Sequence, residues 1–285
     1  MKAIVWTRYG PPDVLELREV EKPTPKDDEV LIKIYATTVT AGDSEVRELR
    51  FPFYLSLPMR AWRGFLKPRE NSIMGTELAG KIEAIGKDVR RFKVGDKVFG
   101  AAGLNFGTNA EYITLPEESG EMEGSLEIMP ANMSYEEAAT VPFGGRDALH
   151  FLRGGHIQPG QKMLINGAGG SIGTFAVQLA KLDGAEVTAV DSGPKLEMLR
   201  EIGADHVIDY TREDFTKNGE VYDVIFDVVG TVSFSKSKRS ITQNGTYLLA
   251  NPIRGQLLRG PWLRMTSGKS VFMQTSNPME DDLVY

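Results

Sequence analysis

The segment Met163-Leu164-Ile165-Asn166-Gly167-Ala168-Gly169-Gly170-Ser171-Ile172-Gly173 carries a short apolar run into a glycine-rich turn, and Thr174 to Lys181 leave it with helical periodicity. Strand, tight turn, helix is the order this pattern dictates. Missing side chains let a ligand approach the backbone closely. The first helical turn then offers unpaired N–H groups at the positive end of a helix dipole, a place suited to a pyrophosphate. The spacing Ala168-x-Gly170-x-x-Gly173 follows the dinucleotide-binding pattern, with alanine in place of its first glycine. Glycines that merely join a strand to a helix are the plainer alternative. The surrounding α/β series favours the dinucleotide. The loop also lies mid-chain, leaving enough sequence before it for a separate domain.

A length of 285 residues suits one large domain or two smaller ones, and 41% apolar residues can supply a core. With 39 acidic and 33 basic side chains the net charge is −6, which argues against a general polyanion binder, so no nucleic-acid partner is expected. The absence of cysteine excludes disulfides, thiolate nucleophiles, iron–sulfur clusters and cysteine-ligated zinc. The start MKAIVWTRYG has no apolar signal core, and no run approaches the ~18 apolar residues of a spanning helix. The expectation is a soluble, cytoplasmic protein.

Alternation and glycine punctuation predict strands over 2–6, 14–20, 29–36, 78–86, 95–100 and 110–115. These make a small, curved, mainly β domain over 1–125. After residue 117 the pattern changes. Ser134 with Glu137 reads as a capping box, and Pro142 is expected to end or kink the helix that follows. A further helix is expected over 146–152. From Lys162 strands (162–166, 186–190, 206–208, 221–226, 246–250) alternate with helices (171–182, 194–202), which predicts a parallel sheet covered on both faces in a domain over 126–285.

In such a sheet ligands bind at the carboxyl ends of the strands. Asp191, at the end of the second strand, sits where an acidic residue would take the adenine ribose of NAD. Ser192, Gly193 and Lys195 follow at once, and a hydroxyl, a free N–H and an ammonium would equally hold the 2′-phosphate of NADP. The cofactor is therefore NADP or NAD. Lys195 also reads as a solvated lysine, and Asp191 as a cap of the turn. Tyr210 would stack beside adenine or cover the sheet edge. Gly230 lets the chain pass close to the nicotinamide ribose, and Leu249 and Ala250 end the next strand in the same row.

Several stretches in order, ATTVTAGDSEVR (36–47), GTELAGKIEAIGKDVRRFKVGDKVFG (75–100), AEYITLP (110–116), AATVPFGGRDALHFL (138–152), LINGAGGSIGTFAVQLAK (164–181), GADHVIDY (203–210) and YDVIFDVVG (222–230), resemble the medium-chain dehydrogenase/reductase superfamily. The likeness is to its zinc-free, zeta-crystallin-like quinone oxidoreductases and enone reductases. It implies an α/β protein with a GroES-like, mainly β catalytic domain, a Rossmann coenzyme domain and a substrate cleft between them. It further implies a homodimer and a small hydrophobic carbonyl or quinone substrate. Phe143, Gly145, Ala168, Gly169, Gly170, Ser171, Ile172, Gly173 and Val229 join the residues above at the coenzyme. The Gly-His-Glu of the superfamily's zinc enzymes reads Gly75-Thr76-Glu77 here, their cysteine loop reads Thr40-Ala41-Gly42-Asp43, and the three histidines are scattered at 150, 156 and 206. No metal site is expected.

The family's substrate loop corresponds to Thr40–Asp43 with Arg47 following. Thr40, which would place a hydroxyl near the nicotinamide or the substrate oxygen, and Asp43 are the candidate catalytic residues of that loop. A structural Asp43–Arg47 ion pair is the favoured alternative. Tyr54 is the second candidate for the substrate oxygen and would line an apolar pocket with Trp62 and Phe65, unless these aromatics form a packing cluster or flap. Asp147 stands where related chains commonly carry a threonine facing the coenzyme, and is expected to weaken cofactor binding or alter its geometry.

From Val228 to Met279 there is no acidic residue, while Lys236, Lys238, Arg239, Arg254, Arg259, Arg264 and Lys269 are basic. A solvated face is the favoured reading, and a weak anionic-surface contact through 236–269 the alternative. Related chains continue beyond the point matching Tyr285 and return to the first domain, so that return is expected to be missing. The leading expectation is a zinc-independent NAD(P)H-dependent reductase of quinones or α,β-unsaturated carbonyl compounds. An enoyl-thioester reductase and a non-catalytic NADPH-binding scaffold or membrane-surface adaptor are the alternatives.

Overall fold

A computed structural model describes residues 1–51, 53–70, 72–118, 124–232, 234–250 and 270–273, with backbone alone at 53–55 and 270–273. The chain forms two compact units, Met1–Pro142 and Phe143–Asp282.

In the first unit β1 (Lys2–Trp6) and β2 (Leu15–Glu19) form an antiparallel ladder. β3 (Glu29–Thr37) is followed by two helices, α1 (Ala41–Glu48) and α2 (Phe53–Arg63). Then come β4 (Glu77–Ile85), β5 (Lys97–Ala101), β6 (Tyr112–Pro116) and β7 (Ser125–Ile128). They make a five-stranded antiparallel sheet in the order β6-β3-β4-β5-β7. Register shifts along the β3–β4 ladder, at Leu31/Ile32 and Ile34/Ala36, mark irregularities of the bulge type that bend a sheet. Val30, Ile32, Leu78, Ile82, Val98 and Leu126 fill the core of this sheet.

The Ser134–Glu137 capping box forms as expected: Ser134 Oγ accepts the Glu137 N–H (3.2 Å) and Glu137 Oε2 accepts the Ser134 N–H (2.8 Å). It opens α3 (Tyr135–Ala139), whose Ala138 and Ala139 pack with Ala79 and Phe99. That packing and the pairing of β7 with β5 attach residues 125–142 to the first unit. The units therefore divide at Pro142, downstream of the expected boundary at 125. Pro142 does not kink α3. It lies in the first turn of α4 (Val141–Gly155), where a missing N–H costs nothing.

The second unit alternates β8 (Lys162–Asn166), α5 (Ser171–Leu182), β9 (Glu186–Asp191), α6 (Leu196–Glu201), β10 (His206–Asp209), β11 (Tyr222–Asp227), β12 (Ile241–Leu249) and β13 (Ser270–Met273). All pairings are parallel, in the order β10-β9-β8-β11-β12-β13. The order in which strands are added reverses between β8 and β11, the switch point of a doubly wound fold. Side chains alternate between two covered faces. Met163 and Ile165 pack with Phe151, Val177 and Phe226, while Leu164 packs with Val190, Ile225 and Tyr247 on the other side. β12 starts five residues before the expected 246, and β13 was not anticipated.

Asp205 ties this unit together away from the glycine loop. It accepts from Lys181 Nζ on α5 (2.7 and 2.9 Å) and from the Val187 N–H on β9 (2.7 Å). Burial pushes its carboxyl up, but Lys181 and the Val187 N–H outweigh that and hold it below the ordinary value of 3.8. A depressed carboxyl stabilises the fold above the unfolded value and loses that contribution as pH falls through the folded one. Asp205→Asn should therefore cost about 1 kcal/mol near neutrality, and the gap from the parent in urea midpoints should close below about pH 4.

Candidate cofactor-binding site

β8 ends at Asn166, and the chain turns at Gly167 with φ +85°. A Cβ at Gly167 would lie 2.3 Å from Val229 Cγ2, so both the backbone sign and the contact require glycine. The tight turn is made by Gly167 rather than by the first fingerprint position, Ala168, which is fully buried in the core. The N–H groups of Gly167 and Ala168 both donate to the Val190 carbonyl (3.0 and 3.1 Å), pinning the loop to β9.

Gly170 caps α5 without any side-chain hydrogen bond. Among the described residues nothing accepts from the N–H groups of Ser171, Ile172 or Gly173. Three orphan donors at the start of a twelve-residue helix make an anion site. The nearest obstacle to a Cβ at Gly170 is 3.5 Å away, so this side is open. At Gly173 a Cβ would lie 2.4 Å from the Gly167 carbonyl oxygen and 2.6 Å from Ala168 Cα. Gly170 thus leaves room for a ligand, while Gly173 lets helix and loop close. The first turn of α4 abuts the same place: a Cβ at Gly144 would lie 2.2 Å from Ser171 Oγ. Its neighbours Phe143, exposed, and Gly145, half-buried, are thereby set near the α5 start, and Asp147 lies half-buried one turn on.

Asp191 is buried at the end of β9. Its Oδ2 accepts the Gly169 N–H (2.8 Å), and its Oδ1 accepts the Ser192 N–H (2.8 Å) and Ser192 Oγ (3.2 Å). Lys195 Nζ lies 3.5 Å from Oδ1 and donates to the Gly169 carbonyl (2.9 Å). Tyr210, exposed, donates its N–H to the Asp191 carbonyl (3.2 Å). Asp191, Ser192, Lys195 and Tyr210 thus gather at the ends of β9 and β10. The carboxylate faces the glycine loop and is neutralised there by an ammonium.

The third part holds the expected Val229–Gly230 turn, but the polar network beneath it was not anticipated. Asp227, 1% exposed at the end of β11, accepts from Asn166 Nδ2 (2.9 Å), the Gly230 N–H (2.9 Å) and Tyr247 Oη (2.8 Å). Burial, and then the Asp227 charge, push the Tyr247 phenol far above its ordinary value. This network shapes the turn of exposed Val229 and of Gly230 (φ +74°). Leu249 belongs to the buried core, so only its backbone reaches the strand-end row, where the Ala250 N–H donates to the Asp227 carbonyl (3.1 Å).

In the first unit Thr40 and Asp43 form the capping box of α1. Asp43 Oδ2 accepts the Thr40 N–H (2.8 Å) and its hydroxyl proton (2.9 Å), and Thr40 Oγ1 accepts the Asp43 N–H (3.1 Å). The Asp43–Arg47 ion pair does not form. Arg47 pairs with Glu48 (2.5 Å) and donates Nε to the Gly10 carbonyl (3.0 Å), because Asp43 already serves the helix start. Tyr54 falls in α2, with its side chain outside the described residues, as is the basic stretch from Arg254 to Lys269. Thr38 Oγ1 donates to the buried Glu77 carboxylate. No group of three or more His, Cys, Asp or Glu side chains placed to hold a metal occurs among the described residues.

Residues 26–122 match the alcohol dehydrogenase GroES-like domain family, and residues 171–251 the zinc-binding dehydrogenase family. The chain is 34% identical to 2-methylene-furan-3-one reductase of Solanum lycopersicum over 81% of its own length, and it spans 57% of that enzyme. It is 31% identical to a quinone oxidoreductase of Pseudomonas aeruginosa, with 86% of this chain and 71% of the relative aligned. The structure of the quinone oxidoreductase from Coxiella burnetii superposes with a TM-score of 0.84 at 25% identity, covering 100% of this chain and 86% of that one. The second unit is accordingly an NAD(P)-binding Rossmann domain, the first a GroES-like domain, and the chain belongs to the medium-chain dehydrogenase/reductase superfamily, in its zeta-crystallin-like quinone oxidoreductase branch.

Proposed function

We propose that this chain is an NADPH-dependent reductase of quinones or α,β-unsaturated carbonyl compounds. The observation that carries the cofactor choice is Lys195, with Ser192 beside it, at the end of β9. The Asp191 carboxylate, which would repel a 2′-phosphate, already accepts three hydrogen bonds and faces that ammonium. The names of the tomato and Pseudomonas relatives, a 2-methylene-furan-3-one reductase and a quinone oxidoreductase, support the substrate class.

The residues fit the cofactor. The orphan N–H groups of Ser171, Ile172 and Gly173 would hold the pyrophosphate, Lys195 and Ser192 the 2′-phosphate, and the Val229–Gly230 turn would border the nicotinamide ribose. When bound, reduced nicotinamide supplies a hydride to an electrophilic carbon of the substrate. The chain's own task is to orient the substrate and donate a hydrogen bond to the oxygen on which negative charge gathers. Thr40 and Tyr54 are the proposed donors. Thr40 must first turn its hydroxyl away from Asp43, which makes Tyr54→Phe the sharper test, with kcat falling while cofactor affinity holds. A homodimer is the proposed assembly.

Oxidation of NADPH and NADH, followed with small enones, quinones and an enoyl thioester, tests the reading. NADPH should be preferred, and Lys195→Ala should reduce that preference about tenfold, the effect of one lost charge-assisted contact. Preference for NADH that Lys195→Ala leaves unchanged would overturn the cofactor choice. Turnover with the thioester alone would move the substrate class, and binding without any oxidation would identify a scaffold. In the same titration Asp147→Thr should tighten NADPH binding; unchanged affinity removes Asp147 from the site.

A further inference from the structure

Over residues 56–63, helix α2 is built the wrong way round for a surface helix. Its solvent-facing positions Leu57, Pro58, Ala61 and Trp62 are apolar, and the bend that follows presents Phe65 and Leu66. Phe65 is 61% exposed and Leu66 86%. Its arginines are instead turned onto the unit. Arg60 lies over the Tyr9 ring (4.9 Å) and donates to the Phe65 carbonyl (2.8 Å). Arg63 stacks against Trp62 (4.0 Å) and Phe106 (4.3 Å) and donates to the Leu104 carbonyl. An amphipathic helix ordinarily buries the apolar side and wets the polar one. Here the cations staple helix and bend to the unit, and the apolar row is left standing out.

The rim of this row is basic. Lys67 and Arg69 are exposed and make no ion pair or side-chain hydrogen bond with any described residue. Residues 50–70 hold five cations, Arg50, Arg60, Arg63, Lys67 and Arg69, against the single acid Glu70, in a chain whose net charge is −6. We propose that α2 and the bend after it dock the protein peripherally on an anionic lipid bilayer, with Trp62, Phe65 and Leu66 entering the headgroup–acyl boundary and Lys67 and Arg69 meeting the headgroups.

Three features select a bilayer as the occupant. The apolar residues include tryptophan and phenylalanine, side chains that favour a membrane–water boundary. The free cations flank them on the same bend, so insertion and charge attraction act together. The stretch 50–70 is positive in a chain whose net charge is −6, so charge draws an anionic surface to this face rather than to the chain as a whole. No described helix is long and apolar enough to cross a membrane, so the contact is one of surface docking. The inference does not depend on the catalytic reading, because its test measures binding and not turnover.

Co-sedimentation of the full chain with phosphatidylcholine vesicles, with and without about a third phosphatidylglycerol, is the test. The expected result is binding to the anionic vesicles that weakens as salt is raised. The double variant Phe65→Ser/Leu66→Ser should lose about tenfold in vesicle affinity through its apolar share. The variant Lys67→Glu/Arg69→Glu should lose a similar factor at low salt only. Both change exposed side chains, and unchanged thermal midpoints would show that they fold. No sedimentation with anionic vesicles at low salt overturns the proposal, as does equal binding by the parent and both variants. A smaller assembly in gel filtration for Phe65→Ser/Leu66→Ser overturns it in favour of a second copy on this face. A lowered thermal midpoint for that variant, with no vesicle binding by the parent, overturns it in favour of cover from within the chain.

Discussion

Gly173→Val should abolish NADPH binding and lower the stability of the coenzyme unit by about 3 kcal/mol or more. The expected clash is with backbone, the Gly167 carbonyl and Ala168 Cα, and not with a side chain that can swing away. Relief would require α5 to withdraw from the loop that β9 holds through the Val190 carbonyl. Helix, loop and strand are then disturbed together. Gly170→Ala is the contrast. Its φ of −91° suits any L-residue and its Cβ would meet only the Gly167 carbonyl oxygen at an ordinary 3.5 Å, so the fold should stand. The added methyl points to the side where phosphates approach, and affinity should fall about tenfold at unchanged stability. Urea unfolding and NADPH titration of the two variants separate a packing glycine from a ligand glycine. Equal stability losses would show that the two glycines share one role.

Asp227→Ala should cost about 3–5 kcal/mol, the scale for removing one partner from a buried, hydrogen-bonded charge site. Asn166 Nδ2, the Gly230 N–H and the Tyr247 hydroxyl would each lose an acceptor. Tyr247→Phe should cost less, about 1–3 kcal/mol, since Asp227 keeps two donors. A double-mutant cycle in urea should show strong coupling between the two sites. Cofactor affinity should fall with Asp227→Ala even where the fold survives, because the Gly230 N–H that fixes the turn loses its acceptor. The raised Tyr247 phenol carries a pH signature as well. Its contribution is complete below the unfolded value of 10.0 and is lost as pH climbs beyond it. The alkaline loss of stability should therefore be shallower in Tyr247→Phe than in the parent.

Features that close within a few residues were legible in the amino-acid string. The Ser134–Glu137 box and the β8–loop–α5 unit are local: each is set by hydrogen bonds or periodicity spanning one or two turns. The parallel sheet was legible too, because strands buried on both faces leave near-continuous apolar runs. β7 escaped notice. It is four residues long, and it becomes a strand only because β5 offers an edge to pair with. Its pairing also explains why the first unit extends to Pro142.

At the site, the residues that contact one another across long loops were the ones sequence could not connect. Asn166 and Asp227 are 61 positions apart and Asp227 and Tyr247 20, and they meet only because β8, β11 and β12 lie side by side. The α1 cap is the converse case. Thr40 and Asp43 were recognised as a pair of interest, yet whether Asp43 served the helix start or Arg47 depended on where Gly10 and Glu48 would lie.

What the sequence by itself determined is the strand–helix alternation of the second unit with its glycine loop, which rest on local conformational preference and on patterns of burial, and the family, which rests on the resemblance of stretches in order. What only the tertiary structure decided is direction. The string shows Tyr54, Trp62 and Phe65 as neighbouring aromatics but not that Phe65 stands exposed, and it places Asp191 at a strand end but not that its charge is already answered by Lys195 and the Gly169 N–H. Which way a side chain points depends on what stands opposite it, and in this chain the opposing groups come from distant segments.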